Sequence, residues 1–567
     1  MDKKFFKAVL FDTRSIQRYI YSGNKLRTNV GASYIVDRIF FDVLIDDVLK
    51  KMFPAEKFFA LDDAWTPAND MSTPWEDMDS CCVAYIGGGN ALVLFDSAKT
   101  DKRVEVVKNF TRKLLVKRPG LKVGAALGEL ELNDGELSGI DELYLKLKEN
   151  QNNIFPAVNV PYSGLTLSCP INGEAANFCE VNGGEVRFYS QEAAIKSAVA
   201  DDAKISLQTR FDGIFELKNF PERMEDYQFP LEIEKLGQKD GENYFAIVHV
   251  DGNNMGLKFR TCKSLTARRK LSREIRRKTE GAFAELLVKI IRMKNSGGFK
   301  DVLDLDENYL PIRPLIIGGD DVTFLCPANM AILFTKTLLE LLDDDEHCDD
   351  EHLTEKISRH MDACAGIAIL TTKYPFFRGY KLAEQLCDSA KKSMRQLLPR
   401  DLDSKEDLTA EDIPSGSSWL DFAILHGEQA PTLEQIRATE YRGVRGDMHF
   451  GAYLVRGEGD TAHRLQNLIA CTEQFLSSKK KNPPPEAMAN NKIKELRSVL
   501  QRGKDDTRKF LRQLSYLGQR LPKISDWEIF TREENLLWHK GKTPYIDAIE
   551  LMDFYVEEVA RAWQKLT

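Results

Sequence analysis

Short apolar runs, closed by acids or glycines and separated by long amphipathic stretches, follow one another along the chain in an order that occurs twice. Residues 7–12 (KAVLFD) form an apolar strand ending in an acid, and 245–251 (FAIVHVD) have the same design. Residues 81–95 (CCVAYIGGGNALVLF) and 314–326 (PLIIGGDDVTFLC) each place a Gly-rich tip between two apolar runs, the pattern of a β-hairpin. Small-residue strands follow at 122–127 (KVGAAL) and 364–370 (CAGIAIL). The strand-ending acid precedes the first hairpin glycine by 75 positions in one half and 67 in the other, Asp12 to Gly87 and Asp251 to Gly318. Two copies of one α+β unit account for this order.

Periodicity near 3.6 marks the helices between the strands. In 265–294, Leu271, Ile275, Ala282, Leu286 and Ile290 share a face while Arg268, Arg269, Arg273 and Arg276 make the other side basic, which reads as a solvated face. Residues 327–341 open on Pro327 and align Met330, Leu333, Phe334, Leu338 and Leu341; residues 377–397 align Ala383, Leu386, Ala390 and Met394. In 543–564 an apolar stripe runs through Ile546, Ile549, Met552, Val556 and Trp563. The expected organisation is a first unit over 1–147, a small connecting module over 148–237, a second unit over 238–400, a charged linker over 401–418 and a helical C-terminal domain over 419–567.

At 567 residues, with 43% hydrophobic and 29% charged positions, the chain can bury several cores without disulfide support. None of the ten cysteines forms a C-x-x-C pair, which fits reduced thiols in a cytoplasmic protein, and no apolar run approaches the length of a membrane span. A net charge of −8 argues against a generally nucleic-acid-binding surface; a triphosphate or RNA would need local basic patches or metal ions.

The candidate chemistry lies in IIGGDDVTFLC. Gly318 and Gly319 fall where a tight hairpin needs positive φ and where a phosphate can approach the backbone. Asp320 and Asp321 follow at the tip, and Asp251 ends another strand. Adjacent carboxylates beside apolar strands repel unless cations share the site. If the strands are neighbours, the three acids can hold two Mg²⁺ or Mn²⁺ ions for in-line phosphoryl chemistry. In the first unit Gly89 and Asn90 stand where Asp320 and Asp321 stand in the second, so only Asp12 remains of the three. That copy is expected to be catalytically idle and to face the active hairpin.

HVDGNNMG (249–256), LPIRPLIIGGDDVTFLC (310–326), CAGIAIL (364–370) and YKLAEQLCDSAKK (380–392) together resemble the cyclase palm of the large subunit of type III CRISPR effector complexes, itself related to GGDEF-type diguanylate cyclases. FDTRSIQRYI and GASYIVDRIF (11–20, 31–40) are similar to that family's first, degenerate palm. The resemblance implies two ferredoxin-like nucleotidyl-cyclase palms. It also implies synthesis of a cyclic oligonucleotide or dinucleotide messenger from ATP by two-metal catalysis in antiviral defence. Carried over by position, Asp251, Asp320 and Asp321 would be catalytic metal ligands, Gly318 and Gly319 would shape the hairpin under the phosphates, Lys391 would face the triphosphate, and Asn253 and Asn254 would lie beside the nucleotide. Nucleoside triphosphates are the implied substrates, with an RNA or protein activator and CRISPR-complex subunits as further candidate partners. The chain departs from the family in two places: it contains no His-Asp dipeptide of the nuclease domain, and its connecting module holds only Cys169 and Cys179 of a four-cysteine zinc site. A catalytically idle nucleotide-binding scaffold or sensor subunit, a linear-product polymerase and a diguanylate cyclase stay open. The acidic run 341–353 with His347, Cys348 and His352 reads as a solvated loop, and Phe376 and Phe377 as packing residues.

Overall fold

The computed structural model describes the chain except residues 1–3, 57, 59–74, 76–77, 134–135, 153–161, 183, 240, 263, 344–360, 397–408, 410–411, 414–415, 428–431 and 567. Most of the linker expected at 401–418, and His347, Cys348 and His352 of the acidic run, lie outside the described residues.

The fold is α+β, and both units have the same topology. In the first, β1 (Lys4–Arg14) is followed by the helix Leu26–Ile39, the hairpin β2 (Cys81–Gly87) and β3 (Asn90–Asp96), the helix Arg103–Lys117, β4 (Lys122–Asn133), the short β5 (Glu136–Ser138) and the helix Ile140–Gln151. The sheet order β2-β3-β1-β4-β5 puts the acid-ending strand in the interior, antiparallel to both neighbours. Alternation along β1 serves two cores: Val9 and Phe11 face one, while Phe6, Ala8 and Leu10 face the other with Leu143 and Leu147. Each of the larger buried side chains stabilises by about 1.5–3 kcal/mol.

A hairpin of β6 (Phe178–Asn182) and β7 (Glu185–Tyr189) and the helices Gln191–Ala198 and Ala200–Leu217 join the units. Both helices pack on Leu26–Ile39; a Cβ at Gly31 would stand 1.7 Å from the Lys196 carbonyl oxygen, so only glycine permits that approach.

The second unit repeats the plan with β8 (Tyr244–Gly252), the helix Leu265–Asn295, the hairpin β9 (Arg313–Gly318) and β10 (Asp321–Pro327), the helix Ala331–Leu342, β11 (Ala363–Thr371) and the helix Phe376–Arg395. Its sheet does not stop at residue 400. β12 (Ser418–Ile424) pairs in parallel with β11, and the edge strand Tyr453–Arg456 pairs with β12, giving the order Tyr453–Arg456, β12, β11, β8, β10, β9. The expected boundary at 419 therefore cuts through a sheet; SWLDFAI is a continuous buried strand, and such a run shows no period that separates it from a helical core segment. A second correction concerns 543–564, which forms two helices, Tyr545–Leu551 and Glu557–Trp563, rather than one.

The two units meet through a near-symmetric exchange. Ser33, on the long helix of the first unit, donates to the carbonyl of Leu315 in β9, and Arg269, on the long helix of the second, donates to the carbonyl of Ala84 in β2 at 2.7 Å. Ala84 and Leu315 each stand three residues before the last residue of their strand, Gly87 and Gly318. Arg269 is thus buried, which corrects its placement on a solvated basic face: a carbonyl of the other unit takes its charge-bearing end.

Candidate functional site

Residues of β8 and β10 bring two of the acids opposite each other. The antiparallel register pairs Asp321 with Asp251, and the backbone N–H of Gly252 donates to the Asp320 carbonyl at 3.2 Å. A side chain at Gly252 would foul this approach, since its Cβ would lie 2.8 Å from that of Asp320. In the β9–β10 hairpin Gly318 pairs with Asp321, leaving Gly319 and Asp320 as the two-residue turn. Gly319 has φ +61° whereas Gly318 and Asp320 have none in that region, a correction to the expectation of two positive-φ glycines. A turn with positive φ only at its first central residue admits an aspartate at the second.

The first unit makes the opposite choice. Asn90 pairs with Asp12 as Asp321 pairs with Asp251, but both turn residues, Gly88 (φ +57°) and Gly89 (φ +79°), are left-handed. A Cβ at Gly89 would stand 2.6 Å from Ile16 Cδ1. Conformation and space both exclude an acid there.

Electrostatics sharpen the contrast. Asp320 is pushed up to about 7 by burial first and then by the Asp251 and Asp321 charges. Lys391, one sheet layer away on Phe376–Arg395, donates to Asp251 Oδ2 at 2.5 Å and to the Gly252 carbonyl at 3.3 Å. In the first unit the neutral Gln151 takes the corresponding role, donating to Asp12. Asp321 Oδ1 is buried and lacks a well-formed hydrogen bond; His249 Nδ1 lies 3.4 Å from it, and that nitrogen also lies 3.2 Å from Thr323 Oγ1. Tyr380 packs edge-on against His249 and stacks on Tyr21 of the first unit, centroid to centroid 4.0 Å.

The hairpin tips of both units face one cavity of about 400 Å³, whose walls include Gly87–Gly89, Gly318–Asp321, Tyr34 and Arg276. Asp251 stands on the neighbouring strand, engaged by Lys391.

Asn253 is a correction. Its side chain is fully buried, its Nδ2 donates to Asp362 Oδ2 at 2.9 Å and to the Ser417 carbonyl at 3.1 Å, and its backbone N–H donates to the Asp362 carbonyl. It ties the loop after β8 to the sheet and offers no face to a nucleotide. Asn254 adopts φ 57° at the start of the next helix and stays partly exposed. Sequence reasoning missed His249, Tyr380 and the buried pair Lys258–Asp362 (3.7 Å). Only His249 left a trace, since period-2 alternation in HVD puts it on the Asp251 face.

Among the described residues no three His, Cys, Asp or Glu side chains gather around one point as a ready metal cage. The donor set nevertheless suits a hard cation. Mg²⁺ takes one or two carboxylates and completes its shell with phosphate oxygens and water, and the buried Asp321 Oδ1 has no well-formed hydrogen bond to compete with a cation.

Residues 244–398 match the protein family described as Cas10/Cmr2, second palm domain. No curated protein sequence matches. Solved structures similar to this chain include a Csm1–Csm4 cassette in complex with pppApApA, at 11% identity and a TM-score of 0.49, with 97% of this chain and 69% of the other covered. Csm1 in T. onnurineus is 12% identical with a TM-score of 0.45, covering 99% of this chain and 69% of the other. In a cassette with cA4 (12% identity, TM-score 0.39) the match covers 69% of this chain and only 53% of the other, so this chain spans about half of that relative. No helix among the described residues is long and apolar enough to cross a membrane.

Proposed function

We propose that this chain, whose residues 244–398 match the Cas10/Cmr2 second palm, joins ATP molecules by nucleotidyl transfer and releases a cyclic oligoadenylate or related cyclic nucleotide. The observation that carries this reading is the pairing of Asp251 with Asp321 beside a turn that presents Asp320, in a unit whose duplicate lacks two of the three acids. Burial and the Asp251 and Asp321 charges hold the Asp320 carboxyl above the usual carboxylate range, a cost that a bound cation would offset.

Asp251, Asp320 and Asp321 would hold divalent cations, Mg²⁺ or Mn²⁺, which when bound supply charge neutralisation for a polyphosphate and a more acidic attacking hydroxyl. The remaining work falls to the chain's own groups. Gly318 and Gly319 have nothing within 4 Å of where a Cβ would be, so phosphate oxygens can approach the backbone there. Lys391 holds Asp251 until a polyphosphate offers its ammonium more negative charge. His249, fixed by Tyr380, keeps Asp321 aimed. An acceptor nucleotide would occupy the cavity between the tips, on the first unit's glycine hairpin and opposite the acids. CRISPR-complex subunits and an RNA or protein activator are the partners this reading implies.

Incubating the purified protein with each nucleoside triphosphate and Mg²⁺ or Mn²⁺, then identifying products by mass spectrometry, tests the proposal. A cyclic adenylate from ATP supports it; a linear product, or a preference for GTP, selects a polymerase or a diguanylate cyclase instead.

A further inference from the structure

Tyr21 follows the helix Ile16–Ile20 of the first unit, far outside the span 244–398 that matches the family. Its backbone N–H donates to the Gln17 carbonyl at 2.9 Å and closes that helix, while its side chain is fully buried against the second unit. Phe376 and Tyr380 stand one turn apart on the same face of the helix Phe376–Arg395. The Tyr21 ring stacks on both, with centroids 5.6 Å from Phe376 and 4.0 Å from Tyr380 and interplanar angles of 21° and 25°.

Two groups hold His249 in the second unit. The Tyr380 ring meets it edge-on at 5.5 Å between centroids, and Thr323 Oγ1 lies 3.2 Å from its Nδ1. Tyr21 abuts both: its ring covers Tyr380, and its hydroxyl is buried beside Thr323 without a well-formed hydrogen bond. His249 Nδ1 in turn stands 3.4 Å from Asp321 Oδ1. In a close-packed interior a ring cannot turn into occupied space, so a stacked neighbour removes freedom from the side chain it covers. We infer that Tyr21 is a positioning residue for the acids of the second unit: it fixes Tyr380 and Thr323, these fix His249, and His249 aims Asp321. The ring carries the effect, since the hydroxyl makes no well-formed bond. The hold on the His249–Asp321 pair stands by itself; its consequence for metal binding rests on the proposed nucleotidyl transfer.

The test reads the two separately. Histidines are labelled with carbon-13, the His249 ring signal is identified by its loss in His249→Gln, and spectra of the full chain are taken in EDTA. Tyr21→Leu should move or broaden that signal, and Tyr21→Phe should leave it in place. Phe11→Leu, which removes a ring packed on Phe40 and Phe110 in the first unit's own core, should leave it in place as well. Titrated with Mn²⁺ and followed by electron paramagnetic resonance, Tyr21→Leu should bind the ion about tenfold more weakly or worse, and Tyr21→Phe within about twofold of the wild type, because groups behind a metal ligand fix the direction of its donor oxygen. Should Tyr21→Leu fail to fold, Tyr21→Met, with its more adaptable side chain, is read in the same way. An unmoved His249 signal in the ringless variant, or an equal displacement in Phe11→Leu, overturns the inference. So does a displaced signal with undiminished Mn²⁺ affinity. Absence of Mn²⁺ binding or turnover in the wild type would count against the catalytic reading alone, because the signal in EDTA decides whether Tyr21 holds His249.

Discussion

Lys391 Nζ lies 2.5 Å from Asp251 Oδ2, so in the metal-free protein one of the three acids is already neutralised by a side chain. The lysine and a divalent cation compete for the same oxygen. Lys391→Met should therefore lower the half-saturating Mn²⁺ concentration while raising the KM for ATP, with kcat/KM falling about tenfold to a hundredfold. Metal titrations and steady-state kinetics on the same preparation read both effects. A variant that loses metal affinity along with activity would show the lysine to be a structural tie only.

Asp320 titrates higher folded, at about 7, than its ordinary 3.8. A raised carboxyl contributes stability that is fully present below the unfolded value and is lost as pH rises through the folded one. Asp320→Asn, which imitates the protonated form, should therefore melt higher than the wild type at pH 8, by about 2 kcal/mol, and match it near pH 4. Millimolar Mg²⁺ should narrow the gap at pH 8 by substituting for the proton. Thermal melts across pH, with and without the metal, check this.

Much of this site was legible in the chain because strands write their chemistry linearly. KAVLFD and FAIVHVD showed both acid-ending strands, and IGGGN against IGGDD showed which hairpin had lost its acids, in agreement with the register of Asn90 on Asp12 and Asp321 on Asp251. What stayed hidden depends on distant partners. Asn253 sits in the same HVDGNN run as Asp251, and only Asp362 and Ser417, more than a hundred residues on, reveal that its Nδ2 donates inside the protein. Arg269 looked solvated among its basic neighbours until Ala84 of the other unit supplied an acceptor. β12 was missed because a strand buried on both sides has no alternation to display.

The first unit cannot be converted by restoring one acid. Gly89→Asp would force an L-residue to φ +79° and drive its Cβ to within 2.6 Å of Ile16 Cδ1. Two costs add, positive φ at about 1–2 kcal/mol and an overpacked contact at about 1–3 kcal/mol, so urea midpoints should fall by an amount equivalent to about 2–5 kcal/mol. Gly88→Ala, with the nearest atom to its Cβ 4.0 Å away, should cost only the backbone part.

His449 bridges the second sheet and the C-terminal helices, with Nε2 3.0 Å from Asp421 of β12 and Nδ1 3.0 Å from Asp547. Burial opposes its charge, yet the two carboxylates raise it from 6.5 to about 9. A raised histidine stabilises fully below its unfolded value and loses that contribution as pH climbs through the folded one. The melting temperature should fall between pH 6.5 and 9.5 by the equivalent of at most about 3 kcal/mol, and His449→Gln should flatten that slope while lowering stability at pH 6.

Pyrophosphate release from ATP, measured with Mn²⁺ for the wild type, Asp251→Asn and Asp320→Asn/Asp321→Asn, tests the three-acid site most directly. The account predicts turnover by the wild type and a loss of a hundredfold or more in both variants, with the melting temperature of Asp320→Asn/Asp321→Asn unchanged or raised. Turnover that survives removal of Asp320 and Asp321 contradicts it.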